Sequence, residues 1–174
     1  MVEILNNPSK NGDLFENPVG TNGFEFVEYA HPEPEKLRKL FELMGFKHVA
    51  THKSKNVTLH KQGDINFIIN AEPGSFAQKF AAEHGPCACA MAFRVKDAKS
   101  ALERAKEFGA KILENPIGPG ELDIPVIEGI GGSRLYLVDK YGDETIYDHD
   151  FDFIEGGRSV ISGQGLTYVD HLTH

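Results

Sequence analysis

Positive charge is scarce in this chain: 18 Lys and Arg stand against 26 Asp and Glu, a formal net charge of −8. That balance argues against a nucleic-acid footprint, which depends on clustered cations that displace counterions from phosphate. Cysteine is nearly absent. Its two copies, Cys87 and Cys89, lie two apart, which on a strand puts both side chains on one face and disfavours a disulfide between them. They read as buried thiols in a reducing cytoplasm, since a lone Cys-x-Cys also lacks the second pair of ligands that zinc sites use. Long apolar runs are missing too. Met1 to Thr21 is rich in Asn, Pro and Gly with no apolar h-region, and no later stretch is long and apolar enough to span a bilayer, so neither export nor membrane insertion is expected.

What the chain does have is length for a core and an internal repeat. With 174 residues it can bury a core without staples, as one domain or as two small modules sharing a sheet. From Gly23, a strand signal at Phe24, Phe26 and Tyr29 runs into His31-Pro32-Glu33-Pro34, where the prolines stop the strand and pre-set a helix start. The spacing of Leu37, Leu40, Phe41 and Met44 predicts an amphipathic helix closed by Gly45. Strands are expected around Lys47 to Thr51, Val57 to His60 and Ile65 to Asn70. The order then recurs. Cys87 to Val95 reads as a strand, and Asp97 as the N-cap of a helix with the face Ala98, Ala101, Leu102, Ala105 and Phe108. Further strands are expected at Pro125 to Glu128, Ser133 to Asp139 and Glu144 to Asp150.

The fold class is therefore α+β: two tandem βαβββ modules, about 23–71 and 84–153, sharing a curved mixed sheet. Residues 1–22 are expected to be a flexible N-terminal segment. The Gly- and Ser-rich run 154–165 suits a linker. After it, Leu166-Thr-Tyr-Val-Asp-His-Leu-Thr-His174 repeats the opening strand Phe24-Glu-Phe-Val-Glu-Tyr-Ala-His-Pro32, so 166–174 reads as the start of a truncated second domain. In that alignment Glu28 meets Asp170 and Tyr29 meets His171. The second exchange matters chemically, because histidine is a metal ligand and general base where tyrosine usually is neither.

Tandem βαβββ modules of this kind resemble the vicinal-oxygen-chelate superfamily, with its glyoxalase, bleomycin-resistance and dihydroxybiphenyl dioxygenase fold. Four features sharpen the resemblance. They are Gly23-Phe-Glu-Phe-Val-Glu-Tyr29, His84-Gly85 before an Ala-rich strand, Gly131-Gly-Ser-Arg-Leu-Tyr136, and a linker into Gly165-Leu-Thr-Tyr-Val-Asp-His171. Over nearly the whole chain, these look like the 4-hydroxyphenylpyruvate dioxygenase family. That resemblance implies two such domains in tandem, the second binding Fe(II) through two histidines and a glutamate, with His171 as the first ligand. It implies as partners the chain's own C-terminal catalytic domain, a small 2-oxo acid and O2. By resemblance again, the full-length enzyme converts 4-hydroxyphenylpyruvate to homogentisate in tyrosine catabolism. Two imidazoles and a carboxylate on one face of iron leave adjacent positions open, which is why such chemistry uses that set.

The first domain departs from the ligand pattern. Tyr29 stands where the first histidine is expected and Ala90 where the second is. Thr145, Ile146 and Tyr147, near the third position, offer no carboxylate. Residues 1–160 are accordingly expected to bind no metal and to hold no catalytic residue. An open face toward the missing half is expected to make the chain self-associate as a homo-oligomer. Hydroxymandelate synthase is an alternative from the same chemistry. A stand-alone, metal-free small-molecule-binding protein of the glyoxalase type is another, with the ligand in the cup between modules.

Other motifs read as structure. In Tyr147-Asp-His-Asp-Phe-Asp-Phe153, strand alternation predicts Tyr147, His149, Phe151 and Phe153 on one face and the three aspartates on the other. Glu128-Gly-Ile-Gly-Gly-Ser-Arg134 leads into a strand, not a helix, so it reads as a hairpin turn and not a phosphate loop. His31, His48, His52 and His60 lack ligand spacing and are expected at the surface. His171 and His174, three apart, would point to opposite faces of a strand, so only His171 keeps a ligand role; without strand partners its segment is expected to be an unstructured tail.

Overall fold

A computed structural model describes residues 16–173. The first module runs β1 (Phe24–Ala30), α1 (Pro34–Leu43), β2 (Lys47–His52), β3 (Val57–Gln62) and β4 (Ile65–Asn70). After α2 (Phe76–His84), the second runs β5 (Cys87–Arg94), α3 (Ala98–Glu107), β6 (Ile112–Leu113), β7 (Val126–Glu128) and β8 (Arg134–Val138), followed by α4 (Ile146–Asp150) and β9 (Phe151–Phe153). The α+β class and the βαβββ order are those expected, but the second unit completes its three strands with β6 and not with 144–150. All nine strands form one sheet in the order β6-β7-β8-β5-β1-β4-β3-β2-β9. β1 and β5 meet antiparallel at its centre, each with its module's last strand parallel beside it: β4 next to β1, β8 next to β5. The modules are thus related by an approximate two-fold between β1 and β5.

Local chemistry sets the helix ends. Pro34 occupies the first turn of α1, where a missing N–H costs nothing. Gly45, at φ +89°, follows the helix, and Phe46 N–H bonds back to Phe41 O. The Asp97 carboxylate caps α3 by accepting from Ser100 N–H at 2.6 Å. The buried stripes are narrower than the periodicity predicts. Leu37 and Phe41 are buried, but Leu40 and Met44 are substantially exposed, and Phe108 beyond α3 stands 76% exposed under the Arg104 guanidinium. Each helix touches the sheet with little more than one row of side chains.

Several expectations are corrected. The stretch 144–150 is not a strand: Thr145 and Asp148 form a reciprocal capping box that starts α4, and the chain extends only at Phe151. The turn of helix buries Asp150 and leaves His149 exposed, against the alternation expected of that motif, while Tyr147 and Phe151 are buried and Asp152 exposed in keeping with it. α2, which the strand pattern does not predict, is capped by Ser75 and lays Ala77 and Ala81 against Ala30 and Cys89. Cys89 is buried, but Cys87 only partly. His60 is buried, not superficial, because β3 is an inner strand and the His60 ring lies between Phe41 and His48.

The two flanking segments lie on the sheet domain. Within the described part of 1–22, Val19 packs by Val95 and Ala98, and its carbonyl accepts from Lys96 N–H; residues 1–15 lie outside the described residues. Residues 154–165 run back over the first module. Ile154 N–H bonds Val49 O, Ile161 O accepts from Gly63 N–H, and the fully buried Gln62 takes Gln164 N–H on its Oε1 at 2.5 Å. Among the described residues the tail, 166–173, carries neither helix nor strand, yet it is not loose. Asp64 N–H bonds Thr167 O and Val169 packs against the cluster of Leu37, Phe41, Phe46, Ile65 and Ile69, because the β3–β4 turn offers free amides beside that apolar cluster.

Candidate functional site: the cup between the modules

The two-fold arrangement gathers side chains of β1, β5 and β8 on one concave face. In register, Glu28 pairs with Ala90 and Ala90 with Arg134; one step along, Phe26 pairs with Ala92 and Ala92 with Tyr136. Two alanines therefore form a low floor between Phe26 and Glu28 on one side and Arg134 and Tyr136 on the other. Beside them opens a cavity of about 560 Å³, lined by Phe26, Glu28, Arg134 and Tyr136 and further by Val57, Ile68, Phe151 and the start of α2.

The polar groups of the cup are unevenly committed. Glu28 accepts from Asn70 Nδ2 at 2.7 Å, and burial pushes its carboxyl above the usual range despite that bond. Lys55 is paired with Glu121 at 2.6 Å. Burial acts to raise Glu121, but hydrogen bonds from Lys55, Ser54 and Gly118 N–H prevail and hold it at about 2. His52, 4.0 Å from Glu121, is pushed down by burial. Arg134 stacks on the Phe76 ring at 4.2 Å and gives one N–H to Asn115 at 3.2 Å. Its Nε is buried with no partner among the described residues. The Tyr136 hydroxyl stays a phenol, its pKa raised first by burial and then by Glu28.

At the far end, Tyr147 of α4 is buried beside Glu25, which Arg94 contacts at 2.6 Å. Burial holds Tyr147 well above its ordinary pKa.

Of the three positions where ligands were sought, the structure brings Ala90 and Tyr147 into one cluster at the cup and leaves Tyr29 out. Tyr29 packs against Phe41 and Phe67 on the α1 side. The residue of β1 that faces the cup there is Glu28, across a bulge between Glu28 and Tyr29. Glu28, Asn70 and Arg134 are the residues that local reading misses; strict alternation from Phe26 points to Glu28, but nothing local pairs it with Arg134. Among the described residues no three of His, Cys, Asp and Glu are grouped to hold a metal. His171 lies exposed on the tail with its Nδ1 2.7 Å from Asp170 Oδ2; His174 lies outside the described residues.

Comparison with known proteins places this architecture. Residues 15–152 match the family described as hydroxyphenylpyruvate dioxygenase, N-terminal. A 4-hydroxyphenylpyruvate dioxygenase from Pseudomonas sp. (strain P.J. 874) is 55% identical over 163 residues, which are 93% of this chain and 46% of that protein. Among solved structures, a xylose isomerase-like TIM barrel/4-hydroxyphenylpyruvate dioxygenase fusion protein superposes with a TM-score of 0.76 at 39% identity, covering 94% of this chain and 26% of its own. A variant of 4-hydroxymandelate synthase from Streptomyces coelicolor shares the fold alone, with a TM-score of 0.64 at 17% identity over 79% of this chain and 43% of its own. The chain spans about half the length of the curated dioxygenase relatives it matches.

Proposed function

The chain belongs to the hydroxyphenylpyruvate dioxygenase N-terminal family, and from that membership we propose that it forms the non-catalytic half of a cytoplasmic 4-hydroxyphenylpyruvate dioxygenase. The whole enzyme would convert 4-hydroxyphenylpyruvate and O2 to homogentisate in tyrosine catabolism. The observation that carries this reading is the contrast between the two copies of the opening strand. The first presents Glu28 and Tyr29, with Tyr29 turned away from the cup; the second presents Asp170 and His171. The higher likeness to the dioxygenases than to the mandelate synthase favours homogentisate as product.

The donor set fits Fe(II) only in part. Asp170 at the His171 Nδ1 leaves Nε2 as the ligating atom, the arrangement by which an outer carboxylate orients a metal-bound imidazole. The two remaining ligands would come from the catalytic half. Iron bound there supplies the positions for a 2-oxo acid and O2. What this chain does is positional. Gln62 fixes the amides of Gln164 and Leu166, the Asp64 amide fixes Thr167, and Val169 is seated on the cluster around Phe41 and Phe46, so the path is held to within two residues of His171. Residues 166–173 would enter the second domain as its first strand, and association between copies would cover the face left open by the missing half.

The test is to join the chain to a catalytic half of this family and measure iron content and O2 uptake with 4-hydroxyphenylpyruvate. Turnover by the joined protein, with loss of iron and activity in His171→Ala, is the expected result. Stoichiometric iron binding by residues 1–160 alone, or an unaffected His171→Ala, would overturn it.

A further inference from the structure

We infer that the cup between the two modules is itself a ligand site, for a small aromatic monocarboxylate held by Arg134. This goes beyond the reading above, which needs the cup only as scaffold.

The geometry has three parts. The cavity, about 560 Å³, lies within the range of small-molecule sites. In register, Ala90 and Ala92 lie between β1 and β8 on the same face and add little bulk from β5. At the level of Ala92, Phe26 and Tyr136 touch across the gap between β1 and β8, so the open space lies beside this pair, toward Val57, Ile68, Asn70 and the start of α2.

Its polar end is an anion receptor with unused capacity. Arg134 is fixed by stacking on Phe76; Asn115 takes one of its five N–H donors, and the Tyr136 hydroxyl lies within reach of the guanidinium. Nε–H is buried and unpartnered among the described residues, a condition that costs stability unless something accepts from it. A guanidinium held by its face keeps its edge for a bidentate carboxylate. Of the other charges, Glu28 lies near enough to Arg134 for the guanidinium to oppose the rise that burial gives the carboxyl pKa. Lys55 is taken by Glu121, and Glu28, engaged by Asn70, makes no ion pair with Arg134.

The apolar end favours a ring. Phe26 and Tyr136, with ring centroids 5.6 Å apart, and Phe151, Val57 and Ile68 supply flat and branched walls on the same face. Asn70 and Glu28 at the opposite rim can hydrogen-bond a ring hydroxyl.

The chain has no tryptophan, so binding is best read by NMR titration of the intact chain without metal. Phenylacetate serves as the probe, with acetate (no ring) and benzylamine (opposite charge) as controls. Phenylacetate is expected to bind saturably and to shift the amides of Ile68, Asn70 and Ala77, while the controls do not saturate. Arg134→Gln is expected to weaken phenylacetate at least about tenfold, and Arg134→Lys, which keeps the charge but loses the fork, to fall between. Absence of saturable binding, shifts that map elsewhere, equal binding of benzylamine, or an unchanged affinity in a folded Arg134→Gln would each overturn the assignment. The mapping on the unaltered chain decides it even if both variants fail to fold. Because no iron and no catalytic half are involved, the outcome is independent of the dioxygenase test.

Discussion

Arg94 donates from Nε to Oε2 of Glu25 at 2.6 Å, with the two side chains only 16% and 2% exposed. Glu25 sits in the bulge between Phe24 and Phe26, so its side chain leaves the strand's alternation and turns toward Arg94 and Tyr147. Burial still raises its pKa, and Arg94 only moderates the rise. Arg94→Met is therefore expected to be costly, about 3–5 kcal/mol in urea unfolding at neutral pH, because it strands a buried carboxylate. The double variant with Glu25→Gln should recover most of the loss. The single variant should also gain stability relative to wild type as the pH falls and Glu25 protonates; a flat pH response would show that the carboxylate is not the cause.

His60 sets an acid-sensitive step. Burial, then the neighbouring His48 and Arg38, lower its pKa from 6.5 to about 4. Between those values the unfolded chain binds more protons than the folded one, so this contribution to stability is intact above 6.5 and is lost as the pH falls toward 4. His60→Gln, which can keep a hydrogen bond to Thr58 Oγ1, should flatten the stability profile across that window. Thermal unfolding at stepped pH measures it.

Much of this fold is legible locally, and the site is not. α1 and α3 announce themselves by Pro34 and Asp97 at their starts, glycines 45 and 109 at their ends, and apolar spacing between. β1 to β5 follow from alternation and turn residues. α2 carries a signal too, Ser75 three residues before Gln78 with Ala77 and Ala81 one turn apart, but small apolar residues bury little area and mark a weak face. α4 is a single turn, too short to display a 3.6-residue period, so the alternation of Tyr147, His149 and Phe151 imitates a strand. Glu28 and Arg134 lie more than a hundred positions apart and share a face only because β1, β5 and β8 are neighbours in the sheet. The strand order is a tertiary fact that no local pattern encodes.

Asp148 offers a second acid-sensitive group, with a different window. Burial acts to raise it, but Thr145 N–H and Oγ1 together with Arg158 prevail and hold it at about 2. Its stabilising effect is complete above the ordinary carboxylate value of 3.8 and is lost as the pH falls from there toward 2. Asp148→Ala is expected to cost about 1 kcal/mol at neutral pH by removing the box that starts α4. The cost should vanish near pH 2, where wild type and variant should unfold together. A cost that persists at that pH would mean packing, not charge, is at stake.

Gln62 ties the two halves of this chain's work together. Fully buried, it donates from Nε2 to Met44 O at 2.9 Å and accepts on Oε1 from the amides of Gln164 and Leu166. The glycines around it leave no room for adjustment, since a Cβ on Gly163 would lie 2.4 Å from Gly45 O. Replacing Gln62 with Leu keeps the volume but leaves three backbone groups without partners, a loss of about 1–3 kcal/mol each where water cannot reach them. The backbone should respond by releasing the segment after Ser162, so amide exchange at Gln164 and Leu166 is expected to accelerate by one to two orders of magnitude while that of β1 and β5 stays slow. If Gln62 does direct the strand that bears His171, the joined enzyme carrying Gln62→Leu should hold iron less tightly although the substitution touches no ligand. Faster exchange with unchanged iron affinity would separate the two roles and leave Gln62 as a purely structural clasp.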